Sequence, residues 1–403
     1  MSGRCLGHLK VLELCNLVTG PYCTKLLADL GAEVIKIERP GVGDDARSRG
    51  PFWRDTPDPE VSGLFLYLNT NKLGITLDVG TPTGRSIFMD LVEQTDILVE
   101  DNAAATMQAL GLTYADLTEA NPALIMTSIT PFGHTGPYRD FRAHQLNSSH
   151  AGGEGYLLPI MSPDLSREPL QGGGLVGECI CGLSAALATL AAAYRRGITG
   201  LGQHLDVSKQ DVLLTMVQLD IAMFANLGVV RSRLARPILM PLPFKCRNGD
   251  YLMMSALTDR EWKSLVGFMG DPEWAREDKY GQWLNRHMSG DDINPRVQEF
   301  VSERDRDELF HGLQEDAIAA APVNTPEDLV NSEQMEARGF FSEVEHPRAG
   351  QIRYPTAAYN LSQTPCHLER AAPLIGEHNE LVYGERLGYS RQDLAFMRES
   401  GII

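Results

Sequence analysis

Positive charge is in short supply in this sequence. It carries 36 Lys and Arg against 53 Asp and Glu, for a net charge of −17. That balance excludes nucleic acid as a partner. A polyanionic small molecule would need a local basic patch working against the overall field. Long apolar runs are missing too. The longest apolar-rich stretch, Gly182–Tyr194, is alanine-rich and too short to span a bilayer, so no membrane is expected. The opening MSGRCLGHLKVLELCN has no basic stretch leading into a long apolar run and a small-residue cleavage site, so no signal peptide is expected. The seven cysteines are scattered and odd in number, which argues for a reducing, cytoplasmic setting rather than a disulfide framework. No Cys, His and acidic residues fall at metal-site spacings, and Cys179-Ile180-Cys181 is too close-set for a zinc pair. GxGxxG, Walker, repeat and low-complexity patterns are all lacking. What remains is 43% hydrophobic and 22% charged, an ordinary globular composition with length for two or three domains.

From Leu9 to Gly133 strand and helix patterns alternate. LKVLELC (Leu9–Cys15) reads as a buried strand, NLVTGP (Asn16–Pro21) as a loop, and YCTKLLADL as a helix stopped by Gly31. AEVIKIE (Ala32–Glu38) is a second strand. A strand, a short helix and a strand imply parallel pairing. The pattern repeats through ITLDV, a helix over Thr83–Glu93, DILVE, two short helices to Asn121 and ALIMTSITPFG. This predicts an open α/β sheet with helices on both faces. Gly133 to Gly174 reads as loops around one helix. Glu178 to Arg196 reads as a helix of small residues ending in a basic pair, GLGQHLDVS as a turn and strand, and Val212–Asn226 as a long apolar helix. The texture changes near Gly228, giving boundaries of 1–227 for a large domain, 228–332 for a small one and 333–403 for a C-terminal segment. That last segment, with Pro347, Pro355, Pro365 and Pro373, reads as extended until its final turns.

Three places could carry chemistry. The strand ends around Asn16–Pro21 and Lys36–Arg39 would face the crevice of a parallel sheet, where helix N-termini offer N–H groups to phosphate. Arg39, Arg47, Arg49 and Lys72 could add charge there, although an ordinary βα turn with solvated charges fits the same residues. Glu178 follows Gly172, Gly173, Gly174 and Gly177 at a helix start. The macrodipole favours an ionised carboxylate there, and an ionised carboxylate can attack a thioester. A helix-start glutamate without chemistry is the commoner meaning of the same pattern. His144 could do acid–base work or serve as a structural hydrogen-bonding residue. His134, His204, His346 and His378 sit beside turn residues and read as structural.

These pieces fall in the order of one family. VLELCNLVTGPYCTKLLADLGAEVIKIERPGVGDDAR, LNTNKLGITLDV, SITPFGHTGPY, GLVGECICGLSAALATLAAAYRRGITGLGQHLDVS and the terminal ARGFF, VEHPRAG, APLIGEHN and RLGYS together resemble the class III CoA-transferases. The resemblance covers essentially the whole chain. It implies a Rossmann-like large domain built from both chain ends, a smaller α+β domain between, and two interlocked subunits. It implies an acyl-CoA substrate with coenzyme A as the transferred group and no permanently bound cofactor or metal. In the implied reaction an aspartate attacks a thioester to give a mixed anhydride. CoA then attacks the enzyme carboxyl, and an acceptor acid reverses the sequence. Val18, Thr19, Arg39, Lys72 and Asn102 fall at positions that the resemblance assigns to CoA.

The chain also departs from the family. Glu178 stands where the family keeps its aspartate, one methylene longer. His144-Gln145 replaces the Tyr-Asp of transferases, while related 2-methylacyl-CoA racemases have His-Asp. The Asn-Arg-Pro-Gly stretch appears as Asn102-Ala103-Ala104-Ala105, Ala109 occupies an arginine position, and RSRLARPILMPLPF lacks the glycine-rich lid. Three readings follow. The chain is a transferase using Glu178, a supporting subunit whose class III partner carries the aspartate, or a racemase-like enzyme using His144 and Glu178. Its partner is then a second copy or a related chain. The apolar Ile238–Phe244, with Met240, Leu242 and Phe244, could line an acyl pocket or pack against that partner.

Overall fold

Strands apolar on both sides must be covered on both sides, and the strand sequences here alternate between two cores. The computed structural model describes residues 3–403 apart from 161, 163, 232, 235–238, 240 and 241. The chain divides into two compact units. One comprises Met1–Pro159, Ser166–Arg233 and Gly339–Ile403, the other Ile160–Leu165 and Leu234–Arg338.

In the first unit the order is β1 (Lys10–Leu14), α1 (Thr19–Asp29), β2 (Glu33–Glu38), α2 (Gly63–Leu68), β3 (Lys72–Thr76), α3 (Pro82–Glu93), β4 (Ile97–Glu100), α4 (Ala104–Leu110), α5 (Tyr114–Ala120), β5 (Ile125–Thr130), α6 (Gln145–Ala151), α7 (Glu154–Leu157), α8 (Val176–Thr199), β6 (Gln203–Ser208), α9 (Lys209–Met216) and α10 (Gln218–Leu227). The six strands form one parallel sheet in the order β3-β2-β1-β4-β5-β6. The expected open α/β sheet is therefore what forms. Val11, Ile97, Val99 and Ile125 face a core shared with α1 and α8. Leu12, Leu98 and Met126 face the opposite core, which Val382, Tyr383, Leu394 and Met397 help to close. The C-terminal segment is tied to β3 by Tyr383, whose hydroxyl donates to Thr76 O at 2.7 Å. The strand order reverses between β1 and β4, so their carboxyl ends open a crevice suited to a ligand.

Several local expectations change. The stretch from Gly133 to Gly174 holds two helices, α6 and α7, because Gly152-Gly153 interrupts them and Gly153 takes φ 91°. The single helix expected over Val212–Asn226 is two, since Val217 leaves the helical region at φ −104°, ψ 23°. Helix α8 runs 24 residues, so by length and composition alone it could cross a membrane. Its Cys181, Gly182, Ala185, Ala186 and Thr189 are instead buried, packed on α1 and β5.

The second unit has an antiparallel sheet, β7 (Leu242–Lys245), β8 (Tyr251–Ser255) and β9 (Ala319–Pro322). Its core gathers Phe244, Leu252, Met254, Trp262, Leu265, Tyr280, Val297 and Leu309. Phe244, expected to line a pocket or meet a partner, is a core residue here, while Ile238 and Met240 lie outside the described residues. The tail of the chain, expected to be extended, folds at Pro347–Gly350 into a hairpin of β10 (Phe341–His346) and β11 (Gly350–Pro355).

Candidate active site

The carboxyl end of β1 leads into a loop that hydrogen bonds fix from three sides. Asn16 N–H donates to both oxygens of Asp101 at 3.0 and 3.1 Å. Leu17 N–H donates to Asp44 Oδ1 at 2.9 Å, and Asp45 N–H donates to Asn16 Oδ1 at 2.8 Å. This web holds Leu17 at φ 64°, a conformation uncommon for a branched side chain. Beneath it lies a buried ion network. Lys36 Nζ pairs with Glu13 at 2.7 Å and Asp44 at 2.6 Å, and Lys72 Nζ pairs with Glu13 at 2.8 Å. Burial alone would raise the Glu13 carboxyl, but the two ammonium groups overcome it and hold the pKa at about 2. For Lys72 burial wins over Glu13 and lowers the pKa to about 8.

The loop delivers Thr19 to the start of α1, and Glu178 stands in the first turn of α8. The two helices can approach because Gly182 is glycine. A Cβ there would lie 2.6 Å from Thr19 O and 3.2 Å from Tyr22 Cβ. Thr19 Oγ1 donates to Glu178 Oε2. Lys209 Nζ, on the first residue of α9, donates to the same oxygen at 2.7 Å. Three helix N-termini thus converge on one carboxylate. The dipoles of the three helices favour its ionised form. Both of these donors engage Oε2.

Asp101 adds a second carboxyl beside this centre. Burial pushes its pKa up to about 8, opposed by the Asn16 N–H and by the charge of Lys209. Ser149 on α6 is also close, since a Cβ on Gly177 would lie 3.3 Å from its Oγ. The hydroxyls of Ser148 and Ser149 are buried without hydrogen-bond partners among the described residues.

The other expected site residues are distributed unevenly. Val18 is buried and immediately precedes α1. Asn102 is at the crevice, its N–H donating to Glu100 Oε2 at 2.8 Å and its Nδ2 to Leu14 O at 3.2 Å. Arg39 is exposed and paired with Asp45. Lys72 departs from the expectation. Its side chain is fully buried, and Nζ donates to Glu13, Pro21 O and Asn69, so it braces the loop from below rather than meeting a phosphate. Arg47 departs likewise, buried against Glu38, Glu60 and Pro373 O. His144 is exposed at the start of α6, where its N–H donates to Asn147 Oδ1 at 3.0 Å. The bonds on Glu178 come from Thr19 and Lys209, not from His144.

Sequence reasoning missed Lys209, Asp101 and Ser149. Lys209 directly follows the specific GLGQHLDVS segment, but it is 31 residues from Glu178 and nothing local marks it. An acid at Asp101, directly after the DILVE strand, was the available signal for the second carboxyl.

Residues 6–379 match the family model described as CoA-transferase family III. The chain is 28% identical to a formyl-CoA:oxalate CoA-transferase of Rhodopseudomonas palustris, covering 99% of this chain and 97% of that one. It is 30% identical to the succinyl-CoA–L-malate CoA-transferase alpha subunit of Chloroflexus aurantiacus, covering 99% and 92%. A crystal structure of a CaiB/BaiF family protein from Brucella suis superposes with a TM-score of 0.82 at 27% identity, over 94% of this chain and 98% of that one. With the match running through both ends of the large unit and across the site just described, the chain belongs to CoA-transferase family III.

Proposed function

We propose that this CoA-transferase moves CoA from an acyl-CoA donor such as succinyl-CoA to a carboxylic acid acceptor, with Glu178 as the nucleophile. The observation that carries the reading is the bonding of Glu178. It is one methylene longer than the family's aspartate, yet Thr19 and Lys209 both grip a single oxygen. In this reading Glu178 attacks the thioester, giving a mixed anhydride and a CoA thiolate. The thiolate attacks the Glu178 carbonyl, releasing the donor acid and leaving a glutamyl-CoA thioester. The acceptor carboxylate then reverses the two steps. Val18, Asn102 and Arg39 border the Rossmann-like crevice in which CoA would lie. The reaction needs no permanently bound cofactor, and its setting is the cytoplasm.

The test is direct. With succinyl-CoA, intact-mass spectrometry of the wild-type protein should show a CoA thioester that peptide mapping assigns to Glu178. Hydroxylamine should remove it, and Glu178→Gln should abolish it. An unmodified wild-type protein with every acyl-CoA donor tried would sink the assignment.

A heteromeric enzyme is a second reading with its own support, because one relative is an alpha subunit by name. Helix α10 has no buried residue although it is strongly apolar, and α8 exposes Leu183, Leu187, Tyr194 and Ile198. Such faces suit an interlocked assembly with a second copy or a related class III chain.

A further inference from the structure

We infer that Lys209 is the group that receives the substrate carboxylate during CoA transfer, pairing with Glu178 in the resting enzyme and with the acid once Glu178 is bound to CoA. The inference rests on the proposed role of Glu178 and extends it to a residue that the family pattern does not single out.

The geometry supplies the cation. Lys209 Nζ is 2.7 Å from Glu178 Oε2, and both side chains are largely enclosed, 18% and 9% exposed. The position is otherwise a poor one for lysine. At the first residue of α9 a positive charge opposes the helix dipole. The helix start is already served by Ser208, whose hydroxyl accepts from Asp211 N–H at 3.2 Å, and by Asp211 in the first turn. The lysine therefore contributes to the partner it meets and not to its own helix. Among the described residues no other cation bonds to Glu178.

The reaction changes what that cation faces. When the CoA thiolate attacks Cδ of Glu178, the new C–S bond forms and the C–O bond to the donor acyl group breaks. The electron pair leaves on oxygen, so the donor acid departs as a carboxylate. The glutamyl thioester left behind is neutral, and Lys209 loses its counter-ion at the step that creates a free carboxylate beside it. A largely buried ammonium without a partner is costly, so it takes the anion at hand. In the return direction the acceptor carboxylate, held on Nζ, attacks Cδ. The C–S bond breaks, and the electron pair leaves on sulfur as CoA thiolate. A chain with net charge −17 otherwise repels such acids.

The experiment separates a charged from a neutral nucleophile at the same thioester. The Glu178–CoA adduct is formed with succinyl-CoA in wild type, K209Q and K209R, and freed of excess reagent. Its decay is followed by intact mass with succinate and, separately, with hydroxylamine. K209Q should slow succinate-dependent decay by about 30-fold, the scale of one charge-assisted contact, while hydroxylamine-dependent decay stays within about threefold. K209R should recover most of the succinate rate. Both rates come from one preparation, so a partly misfolded fraction cancels in their ratio. A K209Q adduct that reacts with succinate as fast as wild type overturns the assignment. So does one slowed equally toward both nucleophiles, and so does a K209Q protein that forms no adduct. An absent adduct in wild type is a different result, since it overturns the role of Glu178 itself.

Discussion

Two carboxyl groups share this site, and their surroundings push them to different tasks. Glu178 has a lysine and a hydroxyl on one oxygen. Among the described residues Asp101 has only a backbone N–H as a direct donor, and burial lifts its pKa to about 8. A carboxyl raised in the folded state from about 4 in the unfolded chain binds more protons folded than unfolded between those values. Its contribution to stability is complete below the unfolded pKa and is lost as pH rises through about 8. Asp101→Asn keeps an acceptor for Asn16 N–H and removes the ionisation. The melting temperature of D101N relative to wild type should therefore climb steadily from pH 4 to pH 8.5. A constant difference across that range would mean that Asp101 is ionised throughout.

At the scale of elements, the site is a meeting of the starts of α1, α8 and α9. The meeting depends on close packing between α1 and α8 at Gly182. Gly182→Val should drive the two helices apart and cost about 1–3 kcal/mol, measurable as a lower urea midpoint at an unchanged m-value. It should also weaken the Thr19 bond to Glu178 and slow adduct formation. An unchanged midpoint would show that α1 can shift freely. The parallel strands and α1, α3 and α8 were legible because their apolar periodicity is strong and local, although the third strand forms at Lys72–Thr76, ahead of the expected ITLDV, and β7, β9, β10 and β11 were not read. The breaks at Gly153 and Val217 were less so. A glycine pair within a loop-like stretch, and one residue leaving the helical region in an apolar run, leave little trace in a hydrophobic pattern. Glu178 was legible as a helix-start carboxylate. The grip on it was not, because its donors come from α1 and α9.

For the whole molecule, the apolar faces of α8 and α10 are the feature that the first unit does not cover. If they form the subunit contact, Phe224→Glu together with Leu187→Glu should reduce the assembly to a monomer in size-exclusion chromatography with light scattering. Co-expression with a related class III chain bearing the family aspartate tells the two kinds of assembly apart, since a heteromer would co-elute at one-to-one stoichiometry. A double variant that keeps the wild-type mass would move the contact elsewhere on the surface.

The sequence by itself determined the α/β sheet and the helix start that carries Glu178. Both follow from hydrophobic period and turn chemistry, which act over a few neighbouring residues. The same residues carried the family resemblance. Only the tertiary structure decided what surrounds the carboxylate. It turned Lys72 from an expected phosphate ligand into a buried brace, left His144 at the surface, and brought Lys209 within 2.7 Å of Glu178. A charged group's role depends on what it faces across the fold, and burial and pairing are properties of three-dimensional neighbours that no local pattern encodes.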